Sequence, residues 1–166
     1  MEVTGVKGAS MIGKMKRVLG ILLLVLCLGS ISVVTASAAE IADSDLETDE
    51  DFAEDTTYSV LRGNNLNFGT TTINKLASNK VAISGITQCH HVCSTVYLTI
   101  TLERKIDGTY STYKNWEFTA SNATNLAKNL TVIVPSGYYY RVRGYHAAKD
   151  GSKESVRTLT KGVLVK

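Results

Sequence analysis

Hydrophobic and polar residues alternate with a period of two along most of the chain after residue 61. The clearest run is Val96 to Leu102, in which every second residue is aliphatic and the residues between are tyrosine or threonine. This alternation is typical of a strand that buries one face and leaves the other in water. A sustained helical period is found nowhere in the same part of the chain, so the pattern predicts strands.

Turn-forming residues interrupt the pattern about every ten residues, a spacing typical of all-β sandwiches and barrels. We therefore predict an all-β fold, a single antiparallel β-sandwich of about seven strands. The predicted strands span residues 66–76, 80–88, 95–105, 109–119, 125–134, 138–146 and 155–165.

The turn between the third and fourth predicted strands sets their register. A two-residue loop at Asp107-Gly108 would put Leu98 opposite Glu117, which mixes core and surface faces. A three-residue loop, Ile106 to Gly108 with the glycine in the left-handed conformation, puts Leu98 opposite Trp116. We predict the three-residue loop, and with it a core position for Trp116.

The run from Tyr138 to His146 follows a turn at Val134-Pro135-Ser136-Gly137. Alternation places Tyr140, Val142 and Gly144 on its inner face. A tyrosine shortly after such a turn is similar to the tyrosine corner of fibronectin type III and immunoglobulin-like sandwiches, where the hydroxyl bonds to the upstream backbone. The resemblance implies a fold and no function, with Tyr140 in the corner role.

Residues 1–38 have the pattern of a signal peptide. A basic stretch at Lys14–Arg17 precedes an apolar stretch, and the small residues Ala36-Ser37-Ala38 fit a cleavage site. We expect cleavage and a secreted, extracellular protein that meets the membrane only through this segment. The alternative is a retained anchor, since residues 18–34 approach spanning length.

The remainder divides into parts of opposite charge. Nine acids and no base lie between residues 40 and 55, whereas residues 56–166 hold fourteen lysines and arginines against five acids. So charged a segment has too few apolar residues to fold alone, and we predict a disordered acidic leader at 39–60 before a β domain at 61–166. The alternative is that the leader lies against the basic domain as a propeptide or a competitive mask.

Cys89-His90-His91-Val92-Cys93 is the stretch with the most chemistry, and we predict a loop there. In an oxidising compartment, Cys89 and Cys93 are expected to form a disulfide that closes a small ring. The alternatives are unpaired thiols, or a metal site drawn from both cysteines, one of His90 or His91, and His146. His146 enters because alternate loops of an antiparallel meander fall at the same pole, so the loop that follows it could lie beside the cysteines.

The outward positions of the run at 138–146 are the second candidate site. Tyr139, Arg141, Arg143 and Tyr145 alternate with the inner residues, and such a row can stack on sugars or bases and pair with phosphates. With His90, His91 and His146 they make up the candidate binding residues. The alternative is that these are ordinary solvated positions on an exposed strand.

Four stretches give the domain a resemblance to an uncharacterised family of small secreted proteins from Gram-positive bacteria. The resemblance implies secretion and brings no activity. These stretches are Leu66-Asn67-Phe68-Gly69-Thr70-Thr71, Gln88-Cys89-His90-His91-Val92-Cys93, Val134-Pro135-Ser136-Gly137 and Arg141-Val142-Arg143-Gly144-Tyr145-His146.

The motifs of common hydrolases and nucleotide-binding enzymes are missing from the sequence, and so are those of nucleic-acid modules. We therefore expect neither catalysis nor a cofactor. The predicted function is a secreted, non-catalytic binding module, with an anionic cell-wall polymer or a polysaccharide as the ligand class to test. The alternative is a secreted metal-binding protein or metal-dependent enzyme that uses Cys89, His90 or His91, Cys93 and His146.

Overall fold

The computed structural model describes residues 46–59 and 65–166, and the elements in these ranges are all strands. The predicted signal peptide at 1–38 lies outside the described residues. In the described ranges, no helix is long and apolar enough to cross a membrane. The strands are β1 (Glu47–Thr48), β2 (Phe52–Tyr58), β3 (Leu66–Ala77), β4 (Lys80–Ile106), β5 (Thr109–Ile133), β6 (Tyr138–Asp150), β7 (Ser152–Leu159) and β8 (Gly162–Val165).

The eight strands form one nearly closed, barrel-like sheet. The order is β1-β8-β6-β4-β3-β2, with β5 added on β4 and β7 on β6, and only the β1–β8 pair among these is parallel. Two contacts link β2 to β7: Thr57 Oγ1 donates to Arg157 O at 2.9 Å, and Leu159 N donates to Asp55 Oδ2 at 2.7 Å. The all-β prediction is confirmed, whereas a seven-stranded sandwich of the immunoglobulin or fibronectin type is not.

Two very long strands organise the sheet. The first half of β4 pairs with β3 and with the second half of β5. The second half of β4 pairs with β6 and with the first half of β5. Four predicted strands are therefore two, because β4 and β5 continue where loops were expected near residues 89–93 and 121–124.

The β4–β5 turn differs from the prediction. Ile106 pairs with Thr109, so the loop is the two residues Asp107 and Gly108. Their φ angles are 50° and 81°, which is the left-handed pair that a tight hairpin turn of the type I′ class requires. The predicted three-residue loop is wrong.

A bulge removes the face conflict that argued against the short turn. Leu102 pairs with Lys114 and Glu103 pairs with Thr112, which leaves Tyr113 as an extra residue on β5. The extra residue shifts the register by one, so that core-facing residues meet again beyond it. Trp116 consequently lies opposite Ile100 and packs, partly buried, against the core.

The tyrosine corner contact is present although the sandwich order is not. Tyr140 is fully buried, and its hydroxyl donates to Pro135 O at 2.8 Å. Burial raises the pKa of Tyr140, which keeps the phenol a donor. Val142 and Gly144 are also buried, so the predicted inner face of β6 is confirmed.

The acidic segment is part of the sheet where the structure describes it, which corrects the prediction of a disordered leader. In β2, Ala53 is 7% exposed and belongs to the core. Cations from distant strands offset the segment's charge: Lys75 Nζ lies 2.9 Å from Asp51 Oδ1, and Lys105 Nζ lies 2.8 Å from Glu47 Oε1. The alternative prediction, that the segment lies against the basic domain, describes residues 46–59 better. Residues 39–45 and 60 lie outside the described ranges.

Candidate functional site

The cysteine-histidine stretch is a bulge inside β4. Gln88 pairs with Asn125 and Cys93 with Ala123, so four residues of β4 stand against one residue of β5. The middle residues, 90–92, project into solvent, while the two cysteines at the base are buried. On the facing strand, Asn122 adopts a φ of 49°, a left-handed conformation that asparagine tolerates better than most residues.

Cys89 and Cys93 are neighbouring thiols without a bond between them in this structure. Burial raises the pKa of Cys89 to about 12, and the hydrogen bond to Cys93 and the charges of Cys93 and Glu154 add to the rise. Cys93 Sγ approaches Asn65 O at 3.9 Å. In this reduced form the Cys89 thiol is protonated and a poor nucleophile.

The bulge lies beside the β6–β7 turn, as the parity of the loops predicted. His91 Nε2 is 3.3 Å from Asp150 Oδ2, and Ser94 Oγ donates to Lys149 O at 2.6 Å. His90 and His91 are both exposed. These two histidines are thus accessible, and His91 has Asp150 as its acidic partner.

His146 lies in the core, away from the loop where its role in binding was expected. It is fully buried, with Nδ1 3.0 Å from Thr87 Oγ1 and Nε2 3.0 Å from Thr158 Oγ1. Burial lowers the pKa of His146 to about 4, so the ring is neutral at physiological pH. A side chain at Gly69 or Gly144 would overlap the ring, which explains glycine at both positions.

The residues proposed for a metal site are not brought together as a ligand set. Both ring nitrogens of His146 already face threonine hydroxyls. Within residues 46–59 and 65–166, no group of three or more histidine, cysteine, aspartate or glutamate side chains is arranged to hold a metal ion. No observation here favours the metal-dependent alternative.

The outward residues of β6 lie where alternation placed them. Arg143 is exposed, and Tyr139, Arg141 and Tyr145 are half-buried. Glu103 of β4, itself buried, pairs with Arg141 Nε at 2.7 Å and also with Arg143 Nη2. The side chain of Arg143 keeps half of its surface in solvent despite this pair.

Register adds neighbours that sequence reasoning missed. Tyr97 on β4 is opposite Ala147, and Arg157 on β7 is opposite Tyr145. Lys153 Nζ lies 4.4 Å from the ring centroid of Tyr97 and 5.4 Å from that of Tyr145, so the ammonium group rests on two tyrosine faces. The period-two pattern of β7 could have indicated its outward residues, but not which strand they join.

The two ends of the outward surface formed by β4, β6 and β7 differ in charge. At one end Glu47 reaches Lys105 and Tyr110, and a shallow depression of about 250 Å³ is lined by β1 and Tyr139. At the other end Lys149, Lys153 and Arg157 form no ion pair with any described residue. We call this second end the basic face and define it by outward residues on β4, β6 and β7. It comprises Tyr97, Arg143, Tyr145, Lys149, Lys153 and Arg157.

The chain was compared with solved structures, with curated proteins and with protein families. The sporulation control protein Spo0M from Bacillus subtilis matches in structure with a TM-score of 0.37 and 12% identity, over 69% of this chain and 50% of that chain. The chain thus spans about half the length of that protein, and a TM-score this low carries no argument. No curated protein matches the sequence. Residues 33–162 match a family of unknown function, DUF6147, which agrees with the predicted membership of an uncharacterised family. The chain therefore belongs to the DUF6147 family.

Proposed function

We propose that this protein is a secreted, non-catalytic binding module whose basic face takes an anionic, sugar-containing polymer. The observation that carries the proposal is the set of three lysine and arginine side chains beside Tyr97 and Tyr145 that form no ion pair with any described residue. Secretion rests on the signal-like pattern of residues 1–38.

The chemistry of the basic face suits a repeating anion better than a single small ligand. Lysine and arginine pair with phosphate or carboxylate groups, and arginine can do so through two parallel hydrogen bonds. Neighbouring strands are about 4.8 Å apart and outward residues on one strand are about 6.8 Å apart. The cations are therefore spread over a surface, where a chain with a charge on each repeat can meet several of them.

Tyrosine rings supply the second half of the proposed recognition. Each ring has a flat apolar body and a polar hydroxyl, which suits the C–H faces and hydroxyl edges of sugars. Lys153 lies over Tyr97 and Tyr145 in the free protein. Since this lysine is exposed, it can move to an anionic group and leave the rings open to a sugar.

A salt series tests this proposal. The wild-type protein is expected to be retained on immobilised teichoic acid and on polygalacturonate at low salt and to elute as salt rises. The variant Lys153→Ala/Arg157→Ala should bind more weakly, with the slope of log affinity against log salt reduced by about two.

The matched control is Lys80→Ala/Lys161→Ala, which removes the same charge from exposed positions outside the basic face. An equal loss of affinity in the control would mean that net charge, not this face, drives binding. Absence of retention of the wild type on both polymers would overturn the proposal.

We also propose that Cys89 and Cys93 form a disulfide in the secreted protein, giving two electrons and two protons to oxygen or to a disulfide oxidant outside the cell. The support is that the two thiols lie at the base of one bulge and are joined by a hydrogen bond. Because burial disfavours the thiolate, the bond is expected to form before the bulge is buried.

Intact mass of the protein collected from culture medium checks the disulfide. A mass about two units below that of the fully reduced chain is expected, since each disulfide removes two hydrogens. The Cys93→Ser variant provides the control, because it should lack the difference. A wild-type protein with the reduced mass, whose thiols react with iodoacetamide only after denaturation, would show that the cysteines are simply buried thiols.

A further inference from the structure

A second outward surface lies on the other half of the sheet, away from β6 and β7. It is formed by β2, β3, the first half of β4 and the second half of β5, which pair side by side in the order β2-β3-β4-β5. Register gives four outward residues on each strand. We call these sixteen positions the neutral face: Phe52, Glu54, Thr56, Tyr58, Phe68, Thr70, Thr72, Asn74, Ala82, Ser84, Ile86, Gln88, Asn125, Ala127, Asn129 and Thr131.

Charge is nearly absent from the neutral face. Glu54, on the outermost strand β2, is its only charged residue, whereas the basic face has four cations among six residues. Nine of the sixteen side chains are threonine, serine, asparagine or glutamine. Such a surface has many hydrogen-bond donors and acceptors and almost no charge.

Several of these polar groups are fixed by the sheet. Thr56 Oγ1 lies 2.9 Å from Thr70 Oγ1, and Thr72 Oγ1 lies 2.6 Å from Ser84 Oγ. Gln88 Nε2 donates to Thr124 O at 3.1 Å, which holds the amide and leaves its oxygen to accept. Groups held in place before binding lose little conformational entropy when a ligand arrives.

Apolar residues are distributed between the polar ones. At one end Tyr58 is 63% exposed and its ring lies 5.7 Å from that of Phe68, tilted by 54°. Ile86 lies at the centre, and Phe52 lies at the far end of β2, about 20 Å from Tyr58 by the rise of a strand. The apolar groups therefore do not merge into one large patch.

We propose that the neutral face binds an uncharged polysaccharide chain. A pyranose ring has apolar C–H faces and a rim of hydroxyls, so it requires the mixture of flat apolar groups and fixed hydrogen-bonding groups that this face offers. The ring of Tyr58 would stack on one sugar, and threonine, asparagine and glutamine side chains would bond to hydroxyls of the next sugars. Four strands give a platform about 14 Å wide, wide enough for several sugar units.

Other occupants fit less well. Nucleic acid and acidic polymers require cations, which the sixteen positions lack. A second copy of the chain, or a lipid surface, would be expected to meet a more continuous apolar patch. The neutral face is built for a ligand that is itself both apolar and hydroxyl-rich.

Affinity electrophoresis in native gels tests the inference with hydroxyethylcellulose, xylan or dextran as soluble probes. The purified wild-type protein is expected to be retarded by at least one of them, equally at low and high salt. Tyr58→Ala should lose most of the retardation. Thr70→Lys, which places a charge at the centre of the face, should weaken it at least tenfold.

The control is Tyr138→Ala, which removes an exposed tyrosine that belongs to neither face and should leave the retardation unchanged. Circular dichroism of each variant separates lost binding from lost folding, and binding is compared only among folded variants. The inference is overturned if no neutral polysaccharide retards the wild type, or if Tyr138→Ala reduces the retardation as much as Tyr58→Ala. It is also overturned if sedimentation shows a dimer that Thr70→Lys dissolves.

These outcomes are independent of the salt series on the basic face. A protein that binds anionic polymers and ignores neutral ones would keep the proposed function and lose only this second site. The reverse result would leave the neutral face as the site and remove the basic one.

Discussion

Two residues of β6 illustrate how single side chains are fixed by what the strand places around them. Tyr140 donates to Pro135 O, so the strand is tied to the turn that precedes it. Six residues later, His146 is held between two threonine hydroxyls from β4 and β7. Both side chains are polar and fully buried, and each has partners, which is the condition for burying a polar group at low cost.

His146 makes stability depend on pH. The pKa of its ring is about 4 in the folded protein and about 6.5 in the unfolded chain, so the unfolded state binds more protons between these values. The stabilisation is fully present above pH 6.5 and is lost as the pH falls toward 4. The expected loss is about 3 kcal/mol in the free energy of unfolding.

Urea denaturation of the wild type and of His146→Gln at a series of pH values checks this expectation. Glutamine does not titrate but can still bond to the hydroxyls of Thr87 and Thr158, so the difference between the two profiles isolates the histidine. The difference in free energy of unfolding between the wild type and His146→Gln should narrow as the pH falls from 7 to 4. Parallel profiles would show that His146 does not contribute.

At the scale of elements, β2 shows why the charge of the acidic segment led to a wrong prediction of disorder. The segment was predicted to be disordered because it is acidic, but the cations that pair with it, Lys75 and Lys105, lie far along the chain. Composition is a local measure, whereas the contacts that order this segment are not local. Its inward residue, Ala53, gave no strong signal because alanine is also common in loops and helices.

A pair of neighbouring substitutions tests whether β2 belongs to the fold in solution. Ala53→Glu places a charge at a core position and should lower the free energy of unfolding by about 3 kcal/mol or more, since a buried charge without a partner is costly. Glu54→Gln changes the next residue, which is exposed, and should have little effect. The fluorescence of Trp116 during urea unfolding gives the measurement, and equal stability of the two variants would mean that the segment is detached.

In the β4–β5 hairpin, the sequence predicts the core positions but not the turn or the bulge. Alternation located Val96, Leu98, Ile100 and Leu102 correctly in the core. The turn and the bulge escaped because they compensate each other: a tight Asp-Gly turn moves the register by one, and an extra residue at Tyr113 moves it back. The alternation of residues along a strand does not show where a bulge lies, so a turn and a bulge that compensate each other cannot be recognised from it.

The whole molecule carries two outward surfaces of different chemistry on one sheet. Arg143 and Tyr145 of the basic face could be predicted, because residues 139–145 alternate within one strand. Tyr97, Lys153 and Arg157 could not, because only strand order brings them alongside. The neutral face was missed entirely, since its polar residues are scattered over four strands and are conspicuous only when these lie side by side.

The long hairpin has a consequence for the order in which the chain folds. β4 and β5 can zip outward from Asp107-Gly108, so each new pair closes a loop that is already nearly closed. The hydrogen bonds between β2 and β7 join residues 100 and 104 positions apart, so forming them requires closing a long loop. The hairpin is therefore expected to be the nucleus, and the acidic strand the last to dock. In a chain that crosses a membrane unfolded, the hairpin that starts folding would lie near the middle of the chain. The first strands to emerge would then be the last to pair and would complete the barrel-like sheet.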